Sequence, residues 1–335
     1  METEASLSEP VLARRRSSSF SDDYSVQKTN DDASQSKLAA VQLKYWEDPY
    51  LRHFVSAVTE LHRDPEISIG YWARVTLIWQ VVNDFLQKSG NDAQIISLGA
   101  GFDTLYWRLK SSGAKFSRFV EVDFSSVTSK KIRLIRKPGS SDLTSAFNEP
   151  IKESQHADLH AGDYHLVGAD IRQWAELQGK LESTGMDMQK PTIVLAECVL
   201  VYMAVSQSTE LLSQLVKSFK SLALLSYEQV NTDDQFGRVM VANLEKRGLK
   251  LPGLETSGSI EKQRQRLMTA GFTHGWIVDL HEAYGRMLDE REKKRVEQIE
   301  MLDEKELLTQ LNEHYSLTYV VNGEGEKLSL NELAL

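Results

Sequence analysis

From residue 69 onward the apolar positions recur first at helical spacing and then in short unbroken runs. Ile69, Trp72, Thr76, Trp79, Val82 and Leu86 lie three or four residues apart, on one face of a helix. Gly90 predicts where that helix stops. Strands are then predicted over 94–98, 117–122, 164–169, 191–196 and 222–228. Helices over 103–110, 171–181, 206–220 and about 232–246 separate or follow them. "THGWIVDL" and "SLTYVV" are two late strand-like stretches with charged, helical sequence between them. Such alternation predicts an α/β fold with a mostly parallel sheet covered on both faces. Sheets of that kind bind ligands at the carboxyl ends of their strands.

Two stretches break the pattern. Residues 1–32 are rich in Ser, Asp and Arg with few large apolar side chains, which predicts a disordered tail. Arg14–Arg16 followed by Ser17–Ser19 is readable as a kinase site or nuclear signal, with a solvated tail as the default. Residues 135–165 are polar and hold two prolines, so a long surface connection with one helical turn is expected.

Composition narrows the function classes. The chain has 335 residues, 41% of them hydrophobic, enough for a sizeable core. Its net charge of -9, from 39 basic and 48 acidic residues, disfavours a nucleic-acid partner. Cys198 is the single cysteine, so no intrachain disulfide can form, and a reducing, cytoplasmic location is expected. No apolar run reaches about 18 residues, so no membrane span is expected.

The chemistry gathers at strand ends. In "QIISLGAGFDTLYWRL", Gly99 and Gly101 sit between a strand and a helix. Glycine there permits a tight turn and close approach of a ligand. A dinucleotide fingerprint wants a third glycine where Thr104 stands, which weakens a phosphate reading. Asp123, 22 residues after Gly101, ends the next strand, where a ribose-binding carboxylate is expected. An ordinary helix cap is the bland alternative. Asp170 and Glu197 end two further strands. Asp170 could accept from an adenine amino group, with Ile171 against the ring. Glu197 beside an apolar strand is costly to bury without a cation. A row of acids suits the ammonium and sulfonium of S-adenosylmethionine and repels a pyrophosphate.

"LKYWEDPYLRHF", "GYWARV", "LGAGFDTLYWRLK", "FVEVDF", "VGADIRQW", "LAECVLVYM" and "YEQVNTDDQFGRVM" together resemble the leucine carboxyl methyltransferases. The resemblance spans roughly 36–335. It implies a seven-stranded class I S-adenosylmethionine-dependent methyltransferase sheet with an added N-terminal helical part and a lid. The corresponding division is a tail over 1–32 and one methyltransferase domain over 33–335. Within that domain, 33–92 would be N-terminal helices and 93–335 a sheet core with lid insertions. Ser97 and Asp103 replace the acid and third glycine of the general methyltransferase turn, in agreement with this family. Implied donor contacts are Lys37, Arg74, Gly99, Gly101, Asp123, Asp170, Ile171 and Glu197, with Arg74 on the donor's carboxylate. The implied acceptor is the C-terminal leucine of the catalytic subunit of protein phosphatase 2A, contacted through its tail and folded body. A monomer is expected, with no metal and with neither nucleic acid nor membrane as partner. A leucine α-carboxylate, with a pKa of about 3.3–3.7, is already ionised, so no catalytic acid or base is expected. Arg74 and Tyr202 are the candidates for positioning it.

The rivals are a relative that methylates a modified transfer-RNA base, a donor-binding partner without turnover, and a nicotinamide oxidoreductase. The transfer-RNA relatives carry a C-terminal repeat extension that is not found before Leu335. His156, Asp158, His160, Asp163 and His165 lie within ten residues, but Gly162 and the polar surroundings argue against a metal site. Cys198 beside Glu197 is expected to be structural, since a carboxylate raises a thiol's pKa. Residues 288–308 are expected to form solvated helix.

Overall fold

Helix α1 (Val11–Gln42) occupies much of the stretch whose composition predicts disorder. The computed structural model describes residues 11–55 and 63–330, with side chains from residue 22 onward. Residues 1–10 and the side chains of Arg14–Ser19 lie outside that description. Helix α1 is nearly devoid of an apolar stripe until Leu38, Ala39 and Ala40, which are buried. Its upstream part is held instead by polar contacts to distant residues: Asp22 to Lys250, Asp23 to Arg172, Asp31 to Lys130 and Asp32 to Arg247. Composition scores apolar burial, so it misses a helix held in this way.

Helix α2 (Pro65–Ser89) follows the predicted face and ends at Gly90, whose φ of 73° closes the last turn through its N–H to Leu86 O. Among the described residues nine strands form one sheet: β1 (Gln94–Leu98), β2 (Arg118–Asp123), β3 (Lys152–Ser154), β4 (Asp158–Ala161), β5 (Tyr164–Gly168), β6 (Thr192–Glu197), β7 (Leu222–Gln229), β8 (Phe272–Asp279) and β9 (Tyr315–Asn322). Their order is β3-β4-β5-β2-β1-β6-β7-β9-β8. The run from β5 to β7 is parallel, while β9 is antiparallel to both β7 and β8. These seven make up the expected sheet. The antiparallel pair β3–β4 extends its β5 edge, out of the stretch read as a surface connection. That hairpin is too short for an alternating pattern to declare itself: β3 is exposed throughout, and only Asp158, Leu159 and Ala161 of β4 are buried.

Both faces of the sheet are covered. Ile95, Phe119, Leu166, Ile193 and Leu225 pack on one side with Trp72, Leu77, Val81 and Phe85 of α2. Ile96, Leu98, Val120, Val122, Val194 and Ala196 pack on the other, against Leu211 and Leu215 of helix Val205–Ser218 and Leu267 of helix Ile260–Ala270. Burying each such side chain stabilises the fold by about 1.5–3 kcal/mol. β1, β2 and β6 are buried along nearly their whole length because neither face meets water, and Glu121 in the middle of β2 is paired with Lys131. Among the described residues no helix is long and apolar enough to cross a membrane. Short helices α3 (Leu105–Ser111) and α4 (Ser125–Ile135) lead away from the ends of β1 and β2.

Candidate active site

The turn after β1 is built from two left-handed glycines, Gly99 at φ 59° and Gly101 at φ 49°. Each also meets a close neighbour. A Cβ at Gly99 would lie 2.6 Å from Val199 Cγ2, and one at Gly101 would run into Asn30 Oδ1 of α1. That same Asn30 oxygen accepts from the Phe102 N–H at 2.7 Å. The turn is therefore roofed by α1, a partner that the glycines alone do not reveal.

Asp123 at the end of β2 accepts from the N–H groups of Gly101 and Phe124, both at 2.7 Å. Burial raises its pKa, opposed by those two donors. A carboxylate offers about four acceptor positions, so capacity remains for two hydroxyls. Asp103 anchors the start of α3 by accepting from the Leu105 N–H at 2.7 Å, and Lys37 of α1 pairs with its other oxygen at 3.1 Å. Burial works against the Asp103 charge, but Lys37 and Lys131 outweigh it and hold the pKa down at about 2. Behind the turn, Lys131 donates to the Asp103 carbonyl at 2.8 Å and pairs with buried Glu121 at 2.5 Å. Burial pushes the Glu121 carboxyl up to about 7 despite that partner.

Glu197 at the end of β6 receives the Arg74 Nε at 2.8 Å. Glu197 is half-buried, and the cation beside it is supplied by α2. The Arg74 guanidinium lies 4.7 Å from the centroid of the Tyr227 ring, which stacks on Tyr315. Burial opposes the charge of Arg74, yet Glu197 and its other neighbours raise its pKa, so it is charged at every accessible pH. Cys198, 3.9 Å from Arg74 Nη1, has its thiol pushed up to about 12 by burial. It is a neutral wall of the site.

Asp170, after β5, accepts from Arg172 Nε and Nη2, each at 2.8 Å. The opposite edge of that guanidinium grips Asp23 of α1 at 2.7 and 2.9 Å. Sequence reading singles out Asp170 and overlooks Arg172, Asp23 and Asn30. The signal for Arg172 is its place two residues after Asp170; the two α1 residues carry none.

One cavity of about 310 Å³ collects Lys37, Arg74, Gly99, Gly101, Asp123, Asp170, Ile171, Glu197 and Tyr202. Its size is at the lower end for small-molecule sites. Six acids (Asp23, Asp32, Asp103, Asp123, Asp170, Glu197) and four bases (Lys37, Arg74, Arg172, Arg247) line it, a formal charge of -2. That balance suits a ligand with both signs and a net positive charge better than a pyrophosphate. The histidine-rich stretch lies elsewhere and is structural: Asp158 accepts from the Gly168 N–H and pairs with Lys180, and the Nδ1 atoms of His160 and His165 are 2.8 Å apart. Among the described residues no group of three or more His, Cys, Asp or Glu side chains could hold a metal ion.

The model of the leucine carboxyl methyltransferase family matches residues 25–216. The match begins inside α1, within the stretch predicted to be a tail. "Probable leucine carboxyl methyltransferase 1" of Caenorhabditis briggsae is 52% identical over 313 residues, covering 92% of this chain and 95% of that protein. "Leucine carboxyl methyltransferase 1" of Bos taurus is 40% identical over 331 residues, covering 98% and 99%. "tRNA wybutosine-synthesizing protein 4" of Rattus norvegicus is 34% identical over 308 residues, covering 89% of this chain and 44% of that protein. With a family model over more than half its length and relatives matched nearly end to end, the chain belongs to the leucine carboxyl methyltransferase family.

Proposed function

We propose that this protein transfers a methyl group from S-adenosylmethionine to the C-terminal leucine α-carboxylate of the protein phosphatase 2A catalytic subunit. The observation that carries the proposal is the single cavity uniting the glycine turn, Asp123, Asp170, Glu197 and Arg74. The residues present fit the donor. Asp123 has acceptor capacity for two ribose hydroxyls, and the left-handed turn lets a nucleoside approach the backbone. Asp170 and Ile171 line the same cavity, which supports their reading as adenine contacts. Bound S-adenosylmethionine supplies an electrophilic methyl on a positively charged sulfur.

The chain's own groups orient and neutralise. The acceptor carboxylate is already ionised, so no side chain has to take a proton. Arg74 and Lys37 supply positive charge within the cavity, and Tyr202 supplies a hydroxyl for carboxylate positioning. Burial pushes the Tyr202 pKa up, so this hydroxyl stays protonated and donates. Holding the reacting atoms about 3–3.5 Å apart and in line is the main service such a site performs. We further propose that the enzyme acts in the cytoplasm, in keeping with its single cysteine, and as a monomer, since one chain completes the cavity.

Tritium-labelled S-adenosylmethionine offered together with phosphatase core enzyme and bulk transfer RNA tests the acceptor. The expected label is on the phosphatase and is released as methanol by mild base. Label on RNA would overturn the proposal. Binding of S-adenosylhomocysteine with no label transferred would instead identify a non-catalytic partner.

A further inference from the structure

Between β6 and helix Val205–Ser218 the chain makes a tight loop through Cys198 and the short 3-10 turn Leu200–Tyr202. Cys198 sits in the left-handed region at φ 54°, an uncommon place for a residue with a Cβ. Just beyond it, three consecutive N–H groups point the same way. Val199 and Leu200 donate to Glu228 Oε1, each at 3.0 Å, and Val201 donates to Glu228 Oε2 at 2.9 Å. Glu228 is on β7 and is 1% exposed. Leu200 and Val201 are fully buried, so water cannot replace those bonds. Successive N–H groups around a carboxylate oxygen form an anion-binding nest, here filled by the protein itself.

This loop carries much of the site. Glu197 lies immediately before it, Val199 sits over Gly99, and Tyr202 and Met203 line the cavity. The loop is fixed from two further points: the Cys198 N–H donates to the Tyr227 carbonyl at 2.7 Å, and the Gly253 N–H donates to the Val201 carbonyl at 2.9 Å. Glu228 itself lies outside the cavity lining.

We infer that Glu228 is a positioning residue for methyl transfer, holding the backbone of 199–201 so that Tyr202 faces the acceptor; the inference rests on the function proposed above. A carboxylate is required because two oxygens must accept three N–H groups. Glutamine offers one oxygen, and its NH2 would confront either Val201 or the Val199–Leu200 pair. The consequence falls on Tyr202, at the far end of the loop, more than on the ribose site at Asp123. Transfer should therefore suffer while donor affinity is kept.

The test compares Glu228→Gln with the parent and with Tyr202→Phe, alone and combined. Turnover on phosphatase core enzyme is measured beside S-adenosylhomocysteine affinity by calorimetry. Glu228→Gln is expected to lower kcat roughly 10- to 100-fold, the scale of a catalytic group displaced by about an ångström. Affinity for S-adenosylhomocysteine should change less than about threefold, and the double variant should lose no more than the worse single one within about the same factor. Unchanged turnover, affinity falling in step with turnover, or losses that multiply in the double variant would each overturn the inference. If Glu228→Gln does not fold, Gly253→Ala decides, because its Cβ would press on Leu200 O and Val201 Cα at 2.7 Å and push the same loop from its other side. Reduced turnover with affinity kept supports the inference, and parent-like turnover overturns it. A parent enzyme that methylates nothing would count against the proposed function instead.

Discussion

The two halves of the cavity are held by different physics. The sheet half consists of strand ends: the 99–101 turn, Asp123, Asp170 and Glu197, each placed by a strand that is buried on both faces. The other half is α1, whose residues 22–34 contribute little apolar burial and meet the rim through ion pairs and the Asn30 contact. A strand end cannot move without breaking the core behind it. A helix held by partly exposed ion pairs, each worth about 0–1 kcal/mol, can leave at modest cost and depends on ionic strength. The sheet side is therefore the one expected to respond to loss of a hydrogen bond or buried contact, and the α1 side the one expected to respond to salt.

The largest effect is expected at Arg74, which α2 contributes to the cavity beside the strand end of Glu197. Arg74→Ala leaves the half-buried Glu197 without its cation and removes a positive charge from the cavity, and kcat/KM should fall by at least about 100-fold. Near-parent turnover would show that the pair is not part of the working site. Asp123→Ala comes next. Removing a charged acceptor from ribose hydroxyls should weaken S-adenosylhomocysteine by about 1.5–3 kcal/mol, or roughly 10- to 150-fold, as read by calorimetry. Unchanged affinity would remove Asp123 from the donor site.

Effects on the α1 side should be smaller and more kinetic. A chain lacking residues 1–30 loses Asn30 and the Asp23–Arg172 pair, and it should bind S-adenosylhomocysteine about 10-fold more weakly, chiefly through faster release in stopped-flow measurements. Parent-like affinity and release would return this stretch to the role of a solvated tail. Asp23→Asn alone should change affinity by no more than about 1 kcal/mol, and that change should fade as salt is raised. A salt-independent effect would mean that Asp23 acts by something other than charge.

Most of the sheet was legible because its signals are local. The run 94–98 followed by two glycines, and "RFVEVD" and "PTIVLAE" each closing on an acid, announce both a strand and the chemistry at its end. The β3–β4 hairpin was not legible, since its strands span three and four residues and pair across an edge. Helix α1 was hidden for the opposite reason. Asp22, Asp23, Asp31 and Asp32 look like solvation until Lys250, Arg172, Lys130 and Arg247 are brought beside them, up to 228 residues away in sequence. Arg74 was legible as a site residue, but its partner Glu197 lies 123 residues on, so its guanidinium was assigned to the carboxylates of donor and acceptor and not to Glu197. Glu228 gave no signal, because its partners are backbone groups.

The acceptor proposed for this cavity is a terminal leucine carboxylate presented by a folded phosphatase. The most direct measurement compares three acceptors under one set of conditions with labelled S-adenosylmethionine: the intact phosphatase core enzyme, the same enzyme lacking its last leucine, and an isolated tail peptide of about ten residues. A flexible peptide loses entropy on ordering and offers little contact area. The expected result is base-labile label on the intact enzyme, none on the truncated one, and a far lower kcat/KM for the peptide. Equal label on the intact and truncated enzymes would contradict the assignment of the leucine carboxylate, and a peptide as good as the intact enzyme would contradict the need for a folded acceptor.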